Sequence, residues 1–258
     1  MSSRYDALTA EVRHEYARGF EVRANYRWSR WYDDGSDTST GQFQDNDQPG
    51  KGAQDVDCRT CEWGPSMFDI PHRLSLSATW APGVSDHPGG ALGALARGWR
   101  ISGVLTAQSG RPFSVWNGAS FLAGGDYNAD GGGGAVGGGF YDRPNVPPPG
   151  TIPEQFTRED FLNGLFPASA FPRPSPGQNG TLGRNTFRGP RYVSLDLALS
   201  RSFALGGERR VELRADAYNA LNNLNLFLPN TDLSLTNFGK STQAFDARTL
   251  QLGVRFLF

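Results

Sequence analysis

Apolar and polar residues alternate with a period of two over seven stretches of this chain. Such alternation is typical of a β-strand that has one apolar and one polar face. A three-residue link that contains Gly19 joins the first two stretches and indicates a hairpin turn. The pattern therefore predicts seven strands, at residues 6–16, 20–32, 72–80, 98–108, 192–204, 209–219 and 251–258.

The connections between these strands alternate between short and long. Residues 17–19 and 205–208 are short and 81–97 are intermediate, whereas 33–71, 109–191 and 220–248 are long. Outer-membrane barrels have this asymmetry, with short periplasmic turns and long extracellular loops. Aromatic residues on the apolar faces also gather at the turn ends of the strands, as an interfacial girdle requires. They are Tyr16, Phe20, Trp80, Trp99, Phe203 and Phe258.

Composition supports a β-rich membrane protein. The 258 residues include 33 Gly and 17 Pro, and only 38% are hydrophobic, which suits strands and long loops better than helices. No apolar run approaches the roughly 18 residues of a membrane helix, so a membrane-embedded form must be a closed barrel. The formal net charge of -1 gives no electrostatic reason to expect nucleic acid. We expect an all-β, antiparallel transmembrane barrel in contact with outer-membrane lipid.

The last eight residues alternate regularly and end on an aromatic side chain. The spacing of Gln251, Gly253, Phe256 and Phe258 resembles the C-terminal signal by which bacterial outer-membrane barrels are recognised for insertion. We therefore predict that these four residues form a membrane-insertion signal that the barrel assembly machinery reads. The alternative is an ordinary final strand of a soluble sheet.

Five ordered segments resemble the C-terminal barrel region of TonB-dependent receptors, most closely the Oar-like branch. The resemblance covers nearly the whole chain. It implies a 22-stranded outer-membrane barrel with an N-terminal plug, which imports a bulky nutrient such as a siderophore, oligosaccharide or peptide and is driven by the inner-membrane TonB complex. The segments are Phe68-Asp69-Ile70-Pro71-His72-Arg73, Gly98-Trp99-Arg100-Ile101-Ser102-Gly103, Gln108-Ser109-Gly110-Arg111-Pro112-Phe113, Gly183-Arg184-Asn185-Thr186-Phe187-Arg188-Gly189-Pro190 and Ala217-Tyr218-Asn219-Ala220-Leu221-Asn222.

Seven strands are too few to close a barrel, and an odd number would leave Met1 on the extracellular side. We therefore expect residues 1–258 to be a C-terminal fragment of about seven strands, with long extracellular loops at 33–71, 109–191 and 220–248 and with the plug domain absent. The TonB complex would act through the missing N-terminal part. Two alternatives stay open: an outer-membrane structural or adhesion barrel without active transport, and a soluble β-sandwich binding module.

The first long loop contains a single CxxC pair, Cys58 and Cys61. A zinc site requires four ligands and the chain has no second pair, so a local disulfide is the expected chemistry. The loop is also rich in acidic residues, with only Lys51 and Arg59 as basic ones, and this pattern predicts a solvated acidic surface. The acidic residues are Asp33, Asp34, Asp37, Asp45, Asp47, Asp55, Asp57, Glu62 and Asp69.

Residues 126–131 reproduce the D-x-N-x-D-G opening of a calcium loop through Asp126, Asn128 and Asp130. The twelfth position is Gly137, where a calcium loop of this type carries a bidentate Glu. Calcium in this loop and a flexible glycine-rich turn are therefore both open, and no other cofactor is expected.

The sequence gives little support to enzyme chemistry. His14, His72 and His87 lie near no Ser or Cys motif, so we expect no enzymatic activity; a barrel-embedded protease or lipase, with a triad assembled in space, is the alternative. The polar faces of the strands carry charges of both signs, which indicates ion pairs across the strands or the lining of a passage. These residues are Glu11, Arg13, Glu15, Arg23, Arg27, Arg100, Glu212, Arg214, Asp216 and Arg255.

Overall fold

A computed structural model describes residues 2–17, 19–36, 53–55, 57–81, 97–118, 126–130 and 142–258. The strands are β1 (Ser3–Ala17), β2 (Phe20–Asp33), β3 (Gly64–Pro65), β4 (His72–Trp80), β5 (Trp99–Gln108), β6 (Pro112–Phe113), β7 (Phe187–Arg188), β8 (Tyr192–Gly206), β9 (Arg209–Tyr218) and β10 (Thr249–Leu257). One α-helix, α1 (Arg158–Asn163), and short 3-10 turns at Arg59–Glu62 and Ala168–Ala170 complete the elements discussed below.

The seven long strands form one antiparallel sheet in the order β1-β2-β4-β5-β8-β9-β10. Each long strand pairs with the next long strand along the chain, which is an up-and-down arrangement. The two-residue strand β3 adds to β2, and β6 pairs with β7 apart from the main sheet. This architecture confirms the predicted all-β antiparallel fold.

The register converts the alternation in sequence into two chemically different faces. One row across the sheet consists of apolar residues, and the adjacent row faces the other side and is mainly polar. The apolar row is Val12, Ala24, Leu76, Leu105 and Leu195. The adjacent row is Arg13, Arg23, Ser77, Val104 and Asp196.

The sheet has two different ends. At one end, which we call the turn end, the connections are short, and aromatic residues of neighbouring strands meet. Phe20 lies opposite Trp80, and the Arg201 guanidinium lies 5.1 Å from the Trp99 ring centre and 4.6 Å from that of Phe203. The apolar-face aromatics thus collect at the turn end as predicted, although the side chain of Tyr16 lies outside the described part.

At the other end, the loop end, the long connections fold together into what we call the cap. It comprises the described residues within 34–71, 109–191 and 219–248. All the fully buried large hydrophobic residues of the described chain belong to it, whereas the apolar face of the sheet is half-buried or exposed. No helix in the described ranges is long and apolar enough to cross a membrane, and α1 has only six residues.

Candidate functional site

The cap has a hydrophobic core of its own, centred on Phe166. The Phe166 ring centre lies 5.0 Å from that of Phe171, 5.2 Å from Phe187 and 5.4 Å from Phe238. These residues come from the second and third long connections, so the two connections pack as one unit. The buried core residues are Phe113, Val115, Phe161, Leu165, Phe166, Phe171, Leu182, Leu226, Leu233 and Phe238.

A capping box fixes the start of α1 within this core. The Thr157 hydroxyl accepts a hydrogen bond from the backbone N–H of Asp160 at 3.2 Å, and the Asp160 carboxylate accepts one from the backbone N–H of Thr157 at 2.7 Å. The helix then delivers Phe161 into the core. Sequence reasoning missed this helix, although the T-x-x-D spacing before an apolar pair is the local signal of such a start.

Three arginines of the second connection form ion pairs with carboxylates near the first. Arg143 binds Glu62 through two hydrogen bonds of 2.8 and 3.0 Å, and both side chains are only 3% exposed. Arg184 lies 2.6 Å from Asp33 at the end of β2, and Arg188 pairs with Asp69. The bidentate, charge-assisted geometry of Arg143 and Glu62 compensates for the desolvation of these two buried charges. These pairs join the first and second connections.

The predicted solvated acidic surface is therefore wrong for part of the first connection. Asp33, Glu62 and Asp69 are buried because each has an arginine partner between 81 and 151 residues further along the chain. Local charge counting cannot detect such distant partners. Asp34 is also buried, whereas Asp57 is exposed; Asp37, Asp45 and Asp47 lie outside the described residues.

Gln54 links the same two connections without a charge. Its backbone N–H donates to Glu62 at 3.0 Å, its side-chain oxygen accepts from the backbone N–H of Arg143 at 2.8 Å, and its amide nitrogen donates to the Gly180 carbonyl at 2.9 Å. The disulfide between Cys58 and Cys61 closes the turn immediately before Glu62. The acidic partner of Arg143 is thus held on a locally cross-linked turn.

An apolar cleft of about 670 Å³ opens beside the cap core. A proline-rich segment, residues 146–156, forms one wall, and Leu182, Phe187 and Arg188 contribute to the other. Clefts of this size and apolar character are typical of ligand-binding sites. The cleft places an apolar surface and one guanidinium next to each other at the loop end of the sheet.

The polar face of the sheet carries charges in pairs. Arg23 of β2 lies 3.2 Å from Glu11 of β1, and Arg214 lies 2.8 Å from Asp216 within β9. The arginines are more than half exposed, so each pair contributes little to stability. The face is therefore a hydrated surface of mixed sign, as the sequence pattern indicated.

Segment 126–130 of the predicted calcium loop packs against the cap. The Asn128 amide donates hydrogen bonds of 2.6 Å to the Gln54 carbonyl and 2.7 Å to the Asn179 side chain. The Asp142 carboxylate accepts hydrogen bonds from the backbone of the same segment. Gly131 and Gly137 lie outside the described residues.

A family model described as an outer membrane beta barrel domain matches residues 1–251. The chain belongs to this family. The predicted barrel fold and the predicted location in the bacterial outer membrane are therefore both confirmed. No curated protein matches the chain.

In an outer-membrane barrel the exposed apolar face of the sheet is the face that contacts lipid. On β10, an edge strand that is exposed on both faces, the apolar residues Leu252, Val254 and Phe256 are 83%, 60% and 66% exposed. Because the chain belongs to this family, lipid covers the apolar face in place of the protein core that a soluble sheet would need. These three side chains share the apolar face of β10.

The four residues of the predicted insertion signal lie on β10 or directly after it. Gln251 is paired with Asp216, Gly253 with Arg214 and Phe256 with Val211. Phe258 follows the strand and is fully exposed at the turn end. Their role as an insertion signal stays a prediction.

Proposed function

We propose that this barrel domain is the C-terminal barrel region of a TonB-dependent outer-membrane receptor that imports a bulky nutrient. The observation that carries the proposal is spatial. Four of the five segments that resemble these receptors come together at the loop end, although they are spread over residues 68–222. In the proposal, this end is extracellular.

Contacts between the first three of these four segments are direct. The Asp69 carboxylate pairs with Arg188 and accepts a hydrogen bond from the backbone N–H of Trp31 at 2.7 Å. The backbone N–H of Gly189 donates to the Arg111 carbonyl at 2.8 Å, and a Cβ at Gly110 would overlap the Gly189 carbonyl. These residues fix where the first two long connections leave the sheet.

The fourth segment, residues 217–222, fixes the start of the third long connection. Asn219 adopts a positive φ of 47°, a conformation that Asn tolerates better than most residues. Its side chain accepts from the backbone N–H of Asn223 at 3.0 Å and donates to the Asp246 carbonyl at 3.1 Å. The motif residues thus serve as a scaffold that aims all three long connections over the same end of the sheet.

The proposed path of the nutrient begins at the cap. The 670 Å³ cleft offers an apolar surface beside Arg188 and Glu154, which suits a bulky ligand that has an apolar part. Passage would then follow the hydrated polar face. The energy would come from the TonB complex, acting through the receptor's plug.

Uptake measurements test the proposal. Labelled siderophores, oligosaccharides and peptides are offered to the source bacterium, to a strain that lacks the gene and to the complemented strain, each with and without a proton uncoupler. We expect uptake of one nutrient class to be lost on deletion, restored by complementation and abolished by the uncoupler. Unchanged uptake in the deletion strain would contradict the proposal.

One observation favours a second candidate, a structural or adhesion barrel. The cap is already closed by its own core, by buried ion pairs and by a disulfide, which are features of a rigid surface. The same strains separate the two candidates, because loss of surface attachment without any loss of uncoupler-sensitive uptake would favour adhesion.

A further inference from the structure

Residues 126–130 place oxygen-bearing side chains at alternate positions, namely Asp126, Asn128 and Asp130. The segment is tightly turned, because the Asn128 side-chain oxygen accepts a hydrogen bond from the backbone N–H of Asp130 at 3.1 Å and Ala129 has a φ of 60°. Carboxylate and amide oxygens are the ligands that calcium prefers. The sequence lacks the bidentate acidic ligand of such a loop, since Gly137 stands at the position where a calcium loop carries Glu.

Asp142 lies 12 positions beyond Asp130 in the chain, and its carboxylate contacts the backbone of this segment. Its side chain is almost completely buried, and its Oδ2 accepts hydrogen bonds from the backbone N–H groups of Tyr127 and Asn128, the latter at 3.2 Å. Its Oδ1 is also buried and has no hydrogen-bond partner among the described residues. A buried carboxylate oxygen without a donor is costly unless another group compensates for it.

The neighbouring negative charges also disfavour the ionised form of Asp142. Burial raises the pKa of Asp142 to about 6, and the negative charges of Asp126 and Asp130 raise it as well, against the hydrogen bonds from Tyr127 and Asn128. The charges of Asp126 and Asp130 thus each disfavour the ionised form of Asp142. A divalent cation would remove both the repulsion and the cost of the buried oxygen.

We propose that Asp126, Asn128, Asp130 and Asp142 bind a calcium ion, with Asp142 supplying the carboxylate that position 137 lacks. Within the described ranges, no three acidic, histidine or cysteine side chains are already gathered around one point. The proposed site therefore adds the amide oxygen of Asn128 to the oxygens of the carboxylates. Calcium accepts six to eight oxygens in flexible geometry, which such a site can provide with backbone carbonyls and water.

Calcium at this position would stabilise the cap. Asp142 is followed directly by Arg143, whose guanidinium binds Glu62 and the Leu182 carbonyl. Asn128 in turn donates a hydrogen bond to the Gln54 carbonyl. The ion would thus connect residues 126–130 to the buried ion pair that joins the first two long connections.

Calcium titration of the purified, detergent-solubilised chain tests the inference, after treatment with a chelator. We expect one site with a Kd on the order of 10⁻⁴ M, as in extracellular calcium modules, and little competition from magnesium. Terbium should replace calcium and give luminescence sensitised by Tyr127, whereas Tyr127→Phe should dim the signal without changing calcium affinity.

Asp142→Asn and Asp130→Asn should each weaken calcium binding about 10-fold or more. The matched control is Asp246→Asn, an exposed acidic residue of the third connection, which should bind as the unaltered chain does. Circular dichroism and heat-dependent gel migration verify the fold, and Asp126→Asn takes the place of any variant that fails to fold. No saturable binding, or equal binding by all the variants, would overturn the inference.

Discussion

The sheet and the cap of this barrel domain treat large apolar side chains in opposite ways. Leu252 of β10 is 83% exposed, whereas Phe171 of the cap is 3% exposed. The ion pairs of the two regions also differ in exposure. Those of the sheet are half-exposed, whereas the cap buries Arg143 against Glu62. The difference shows that the two regions have different surroundings. Lipid covers the apolar face of the sheet, whereas the cap excludes water with its own buried side chains.

The largest expected effect comes from truncating the cap core. Phe171→Ala should destabilise the cap by about 3–5 kcal/mol, because it removes a buried ring and leaves a cavity. Leu252→Ala, on the lipid face, should cost much less in detergent, because detergent fills the space. For each variant, protease susceptibility measures the stability of the cap, and heat-dependent gel migration measures the stability of the barrel. Equal losses would mean that the two regions do not differ as described.

Breaking a buried ion pair should have a similar or somewhat smaller effect. Arg184→Met leaves Asp33 without its guanidinium partner, which typically costs about 3–5 kcal/mol. The loss is limited because Asp33 keeps the backbone N–H groups of Gly35 and Ser36, at 3.2 and 3.0 Å. Arg4→Met breaks the exposed pair with Asp6 and should cost at most about 1 kcal/mol. Titration with denaturant, with proteolysis of the cap as the readout, measures the loss of stability in each variant.

A charge scan of the sheet tests which face meets lipid. Leu197→Arg should destabilise the folded barrel by about 2–4 kcal/mol if the residue lies near the middle of the bilayer. Ala198→Arg, on the opposite face and paired with Asp216, should be tolerated. Folding titrations into lipid vesicles compare the two variants, and equal tolerance would refute the assignment of the faces.

The smallest effect should come from the helix cap. Thr157→Ala removes the hydroxyl that accepts from Asp160 and should cost about 1 kcal/mol, whereas Thr157→Ser should keep the cap. The backbone and side-chain hydrogen bonds from Thr157 also lower the pKa of Asp160, so this capping is present at neutral pH and is lost only in acid. Amide protection of residues 158–163 is the measurement, and equal protection in both variants would count against the cap.

The sheet was predictable because lipid imposes a strict period of two on the sequence. Predicted strands 20–32 and 72–80 agree with β2 and β4 to within one residue, whereas β1 starts three residues before the predicted Asp6. The extra residues of β1 pair with the end of β2, and their polar character hides them from the alternation. Pairing continues beyond the patterned region because backbone hydrogen bonds do not depend on the side chains.

The cap could not be predicted in the same way. No period relates Glu62 to Arg143 or Asp33 to Arg184, because their contact depends on how the long connections return over the sheet. The calcium motif was visible locally, yet Asp142 lies 12 residues beyond Asp130 and only the fold brings them close. A sequence pattern indicates the environment of a strand, but it does not identify the distant residue that a loop side chain contacts.

The pairing of Arg184 with Asp33 also bears on the order in which the strands and the cap assemble. The two residues are 151 positions apart, and the long strands β4 and β5 lie between them in the chain. Contacts of such separation form late, because the intervening segments must be placed first. We therefore expect the cap to close after β4 and β5 are in place, and we expect a chain stalled during assembly to show protease-sensitive loops whose carboxylates still face water.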